Sequence, residues 1–226
     1  MTEPLYPLLN ISRLRLGIDG EGVTTLVAGA GCPLRCRWCI NKRLLREAVP
    51  EQVSAAELTE RLKIDDLYFR ATGGGVTFGG GESLLHTEFI RRFRDVCPAE
   101  WRITAETSLA VPEASIRTAA EAVGHFIVDC KDMSPRIYEN YTGGDGSLMV
   151  SNLRYLLEAA GPDRITVRVP LIPEYNKRTD QERSEQLLRG MGITNLDLFS
   201  YIIKPDPGEK VMPDRSAIEA PADKNA

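Results

Sequence analysis

Three cysteines crowd into eight residues, in the run Gly31-Cys32-Pro33-Leu34-Arg35-Cys36-Arg37-Trp38-Cys39. Thiolates this close together are metal ligands. Cys32, Cys36 and Cys39 could bind three irons of a 4Fe–4S cubane and leave the fourth iron without a protein ligand. A closed structural zinc site asks instead for four nitrogen or sulfur ligands. The fourth would have to come from His86, His125, Cys97 or Cys130, none of which lies in a second clustered pair. Inert core thiols are a poor match, because Arg35-Cys36-Arg37 is too polar for a core segment. The motif therefore predicts a cluster, with a non-catalytic metal-binding module as the alternative of another class. The chain has five cysteines. An odd, clustered set points to metal or catalysis in a reducing compartment, hence to a cytoplasmic protein.

Other residues carry charge where charge is costly. Lys131 ends an apolar segment, and a buried ammonium needs an anion. A ligand carboxylate would serve, as would Asp129 or Asp132. Arg168 lies inside another apolar segment and raises the same question. Glu106 ends a third, either as a ligand-facing carboxylate or as a surface residue. Gly79-Gly80-Gly81-Glu82 offers backbone that a ligand can approach closely, although a glycine-rich stretch alone is as readily a turn. No Gly-Lys-Ser/Thr follows, so it is not a phosphate loop. His86 and His125 stand alone and read as structural.

These residues need a frame. Short runs rich in β-branched or aromatic residues predict strands at Arg13–Ile18, Val23–Ala28, Gly75–Phe78, Arg102–Thr107, Phe126–Lys131, Arg164–Leu171 and Leu196–Ile203. Several, such as Phe126-Ile127-Val128, are apolar nearly throughout, as in parallel strands buried on both faces. Helices fill the gaps. Ser54-Ala55-Ala56-Glu57 is a capping box opening Ala55–Leu62, and Thr179-Asp180-Gln181-Glu182 is read as another, opening a helix to Met191. Further helices are expected over Leu84–Cys97, Pro112–Val123 and Leu148–Ala160. Strand–helix alternation implies parallel strands with right-handed crossovers. A closed eightfold barrel takes about 250 residues, and the pattern here stops at Ile203. The fold class expected is α/β: a partial (β/α)6 TIM-like barrel of parallel strands, open on one side, over 1–204. Residues 205–226 read as a loosely ordered tail. The cysteine loop, Glu82, Glu106, Lys131 and Tyr201 then fall at the C-terminal ends of successive strands. That rim carries the active site in β/α barrels.

The bulk properties narrow the partners. The net charge is −4 and the pI about 5.4, which argues against nucleic acid. The pairs Lys42-Arg43 and Arg91-Arg92 read as solvated helix faces. No apolar run approaches the ~20 residues of a membrane span, and Met1 to Ile11 does not read as a secretory signal.

The cysteine motif, Cys-x3-Cys-x2-Cys with an aromatic residue before the third Cys, resembles that of the radical S-adenosylmethionine (SAM) superfamily. Asp19-Gly20-Glu21-Gly22, Gly73 to Glu82, Asp129-Cys130-Lys131-Asp132-Met133 and Val167 to Pro173 recur in that order in glycyl-radical enzyme activases. The similarity spans roughly Arg15 to Tyr201. It implies that SAM chelates the open iron and is split reductively to a 5′-deoxyadenosyl radical. It implies SAM contacts by Trp38, by Gly79, Gly80, Gly81 and Glu82 through their backbone, and by Glu106, Lys131 and Arg168. It implies a glycyl-radical enzyme as the substrate protein, and a flavodoxin- or ferredoxin-like electron donor. This chain departs from the activases at Ile40, where they commonly have His, and at Glu21 and Thr24, where they commonly have Pro and Arg. A radical SAM enzyme acting on a peptide or small metabolite is the alternative.

Overall fold

The computed structural model describes residues 3–202. Eight strands form one sheet in the order β3-β1-β2-β4-β5-β6-β7-β8. They are β1 (Tyr6–Leu16), β2 (Val23–Gly29), β3 (Glu51–Val53), β4 (Gly75–Gly80), β5 (Arg102–Thr107), β6 (His125–Asp129), β7 (Ile165–Leu171) and β8 (Asn195–Ser200). From β2 to β8 every pairing is parallel, giving the six parallel strands expected. β1 and β3 extend the sheet antiparallel beyond β2. Among the described residues, β3 and β8 do not pair with each other, so the barrel is open.

The helices are α1 (Lys42–Glu47), α2 (Ala55–Leu62), α3 (Asp66–Thr72), α4 (Thr87–Val96), α5 (Glu113–Ala122), α6 (Pro135–Thr142), α7 (Gly146–Ala160) and α8 (Arg178–Gly190). The Ser54 capping box forms: Glu57 N donates to Ser54 Oγ at 3.2 Å and Ser54 N to the Glu57 carboxylate at 2.8 Å. The second box does not. Lys177, in extended conformation, precedes α8 and donates its N–H to Asp180 at 2.9 Å, which leaves Thr179 inside the helix. Expected as one helix, Leu84–Cys97 is a 3-10 turn, Ser83–His86, followed by α4. β1 starts seven residues before the expected Arg13, because Tyr6 and Leu8 are buried against β2 and β3. Pro7 and two register irregularities hide that half from a period-two reading. The tail expected over 205–226, like Ile203, lies outside the described residues.

The parallel strands are not apolar on both faces. Phe126, Val128, Ile165, Val167 and Val169 are buried beneath the helices. The alternating positions carry Thr77, Thr104, Glu106, His125, Thr166 and Arg168 on the concave side. Contacts place them together: His125 Nε2 lies 2.9 Å from Thr166 Oγ1, and Arg168 2.8 Å from Glu106. TIM barrels usually fill this interior with Val, Ile and Leu. Here it is polar, which suits a bound ligand.

Stability comes from the convex side. Phe78 on β4 is fully buried, with ring centroids 5.5 Å from Tyr6 and 5.3 Å from Phe93 in edge-on geometry. Trp101 packs on Phe69 and donates Nε1–H to Asp66 at 2.7 Å. We expect Phe78→Ala to cost about 3–5 kcal/mol, read as a lower urea midpoint at unchanged slope.

Candidate active site

The cysteine loop leaves the C-terminal end of β2 and is held from two sides. On one side, Gly81 N–H donates to Gly29 O at 3.1 Å and Glu82 N–H to Gly31 O at 2.8 Å. A Cβ on Gly81 would lie 2.1 Å from Gly31 O, so only glycine lets the two backbones meet. On the other side is the end of α6. Arg35 N–H donates to Thr142 O at 2.7 Å and Arg37 N–H to Tyr141 O at 3.1 Å. The last carbonyls of a helix have no partner within it, and here the loop supplies one. Asn41 then closes the loop, donating Nδ2–H to Gly80 O at 2.8 Å.

Cys32, Cys36 and Cys39 are half-buried free thiols. Burial pushes Cys32 up and Cys36 up to about 11, while Lys131 pulls Cys36 back. Ionising these thiols therefore calls for a nearby cation, which iron would supply. Among the described residues no three Cys, His, Asp or Glu side chains converge to hold a single metal ion. A cubane needs a wider triangle than one ion does, and the donor set is the all-thiol kind that iron–sulfur clusters take. Trp38 carries the Arg37 guanidinium 4.5 Å from its ring centre. Its indole nitrogen is buried and has no hydrogen-bond partner among the described residues.

The Glu82 side chain does structural work. It accepts from Thr107 Oγ1 at 2.6 Å, Ser108 Oγ at 2.6 Å, Ser108 N at 2.8 Å and Leu84 N at 3.1 Å. Burial raises this carboxyl, and those four donors pull it down. Any ligand contact in Gly79–Glu82 thus falls to the backbone. Gly79 leaves room for Glu106, whose Oε2 would lie 2.7 Å from a Cβ at that position.

Ion pairs line the concave face. Glu106 pairs with Arg168 at 2.8 Å, and Arg168 also reaches Asp197 at 3.7 Å and the Ile18 carbonyl. Lys131 pairs with Asp129 at 2.9 Å and donates to Tyr201 Oη at 3.0 Å. Asp132 instead accepts from Asn176 at 2.9 Å and Ser134 N at 2.8 Å. Burial would lower Lys131, but Asp129, Tyr201 and Cys36 outweigh it, and the ammonium is held well above its usual range. Lys131 has φ +63°, a left-handed conformation uncommon outside glycine and common at functional sites. Burial pushes Glu106 up to about 7 against the pull of Arg168, with Asp129 and Asp19 adding repulsion.

Glu106, Lys131 and Arg168 are thus brought together on the concave face, with Cys36 an electrostatic neighbour of Lys131. Sequence reasoning missed Asp19 and its partner Arg15 as members of this network. The available signal was a buried acid in the glycine-rich turn before β2. It also missed Tyr138 and Tyr141 on α6, whose aromatic pattern suggests only core. His86 holds Ala30 O at 2.8 Å, and His125 holds Thr166, in keeping with structural roles.

Comparison with known proteins places this geometry. The family model of the Radical SAM superfamily matches residues 26–184. A (2S)-3-sulfopropanediol dehydratase activating enzyme from Klebsiella oxytoca is 26% identical, covering 86% of this chain and 81% of its own. A pyruvate formate-lyase 2-activating enzyme from Escherichia coli is 28% identical, covering 86% and 76%. A choline trimethylamine-lyase activating enzyme from Oleidesulfovibrio alaskensis is also 28% identical, covering 81% and 77%. Among solved structures, SuiB of Streptococcus suis superposes at TM-score 0.60 and 12% identity, over 84% of this chain. The chain spans 40% of SuiB, and the likeness speaks for the fold alone.

Because the folded protein holds the Glu106 proton more tightly than the unfolded chain, this group stabilises the fold below about pH 4.5. That contribution is lost as pH rises toward about 7. We expect Glu106→Gln to gain stability relative to wild type on going from about pH 5 to about pH 8. Urea denaturation at the two pH values checks this, and a pH-independent difference would contradict it.

Proposed function

The chain belongs to the radical SAM superfamily, and we propose that it is an activating enzyme that generates a glycyl radical on a partner enzyme. The family uses a 4Fe–4S cluster and SAM. Held in this site, the cluster and SAM would supply one-electron reductive cleavage of SAM coupled to removal of a hydrogen atom from a glycine, with methionine and 5′-deoxyadenosine as the products. The observation that carries the reading is the three-thiol loop, clamped between the β4 glycines and the α6 carbonyls beside Lys131. The activating enzymes among the curated relatives support the choice of substrate.

In this reading Cys32, Cys36 and Cys39 ligate three irons. Lys131 meets the carboxylate of SAM, Glu106 its ammonium, and the Gly79–Glu82 backbone the same amino group. Trp38 borders the bound SAM. Arg168 holds Glu106 in place and approaches the ligand from β7. With Lys131 already on Asp129 and Arg168 on Glu106, the charges are balanced before SAM arrives, so no bare ion waits in a half-buried site. The electron comes from an external one-electron donor of the flavodoxin or ferredoxin type. A cluster of three thiols suits the reducing cytoplasm. Among the described residues no helix is long and apolar enough to cross a membrane.

The test is anaerobic. The reconstituted protein, reduced in the presence of SAM, releases 5′-deoxyadenosine, and Cys36→Ala falls to the background level. Adding the partner enzyme gives a glycyl radical signal by electron paramagnetic resonance. Release of 5′-deoxyadenosine with no such signal would retain the SAM chemistry and refute the activase assignment. Lys131→Met removes a charged hydrogen bond worth about 1.5–3 kcal/mol. It should weaken SAM binding about 10- to 100-fold by calorimetry while the cluster stays bound.

A further inference from the structure

The helix that grips the cysteine loop also sends a side chain beneath it. Tyr138 of α6 is fully buried. Glycines leave room for its ring: a Cβ on Gly146 would lie 3.4 Å from its Cβ, Cγ and Cδ1 atoms, and one on Gly144 3.6 Å from its Cε1. Leu34, midway between Cys32 and Cys36, meets the same glycine, its Cδ2 lying 2.4 Å from where a Cβ on Gly144 would stand. One turn on, the Thr142 and Tyr141 carbonyls hold Arg35 and Arg37. The phenol is thus locked to the segment that carries Cys36.

Its hydroxyl is buried and has no hydrogen-bond partner among the described residues. Buried hydroxyls are nearly always satisfied, and each exception needs a reason. Burial dominates the surroundings of its hydroxyl, and the ionisable groups near it are Cys36, Cys130, Lys131 and Glu82. Two of these offer it no acceptor: Lys131 is a donor, and the Glu82 carboxylate already takes four hydrogen bonds. Cys130 is a buried thiol, a weak acceptor. Of these ionisable neighbours, Cys36 and whatever Cys36 ligates are left as acceptors.

We propose that Tyr138 is a positioning residue that donates its O–H to a sulfur of the cluster, either the Cys36 thiolate or an adjacent sulfide. This rests on the assignment of the cluster to the Cys32–Cys39 loop. A donor to cluster sulfur draws off electron density and makes the reduced state easier to reach. Tyr138 thereby tunes the potential at which the electron arrives, and it touches neither SAM nor the substrate glycine.

The experiment is a redox titration of the reconstituted protein, followed by electron paramagnetic resonance of the reduced cluster. Iron and sulfide content is measured alongside. Tyr138→Phe keeps the ring and removes the donor, and its midpoint potential should move negative of wild type at unchanged iron content. Incorporating 3-fluorotyrosine at the same position keeps the hydroxyl and makes it a stronger donor, so its potential should move positive. This second variant decides the matter if the phenylalanine protein fails to hold iron. Potentials that stay put, or that move in the same direction in both variants, overturn the inference and leave the cluster assignment standing. A wild-type protein that takes up no iron overturns both.

Discussion

A thiol sunk in protein resists giving up its proton. The candidate site is organised around that resistance at Cys32 and Cys36. Left to itself the loop is a poor set of anions, and partnered with iron it becomes a good one. The surrounding structure holds the loop by its backbone and ties none of the three sulfurs into a disulfide. Glycine hydrogen bonds on one flank and helix-end carbonyls on the other fix the main chain. This division of labour explains why Gly81 tolerates no side chain, and why α6, only eight residues long, matters to a site it does not line with ligands.

The same economy governs the sheet. Its convex face is an aromatic and aliphatic core, in which Phe78, Phe93 and Trp101 are buried. Its concave face is a set of paired charges. Arg168 binds Glu106, Lys131 binds Asp129, and Arg15 binds Asp19. Each of these charged groups has a partner within the protein, so the cavity wall is polar and its buried groups are paired. Strands that alternate in this way let one sheet provide stability on one side and recognition on the other.

Much of this was legible in the residues. The cysteine spacing pointed to the family, the strand–helix rhythm gave six parallel strands, and the lone charges in apolar segments flagged Lys131 and Arg168 as ions in need of partners. The remainder depended on contacts that sequence does not encode locally. β3 is three residues long and exists because Tyr6, Pro7 and Leu8 lie beside it. Which carboxylate meets Lys131 is set by a left-handed turn at that residue, and Asp129 and Asp132 are equally plausible on paper. The motif gave Glu82 a role only through its backbone, and what it could not show is that the side chain is spent on Thr107 and Ser108. The second capping box failed for a simpler reason: extended backbone at Lys177 starts the helix two residues earlier, and the acid at Asp180 serves that end.

The unjoined margins of the sheet have a consequence for traffic. A sealed cylinder admits guests through its mouth, which favours small molecules and loose chain ends. A trough that lacks one flank, as this sheet does among the described residues, can be loaded broadside. A stretch of polypeptide can be laid along it with both of its ends still attached to a large folded body, and lifted out again uncut. For chemistry aimed at a residue in the middle of another protein, that lateral doorway is the shape the task requires.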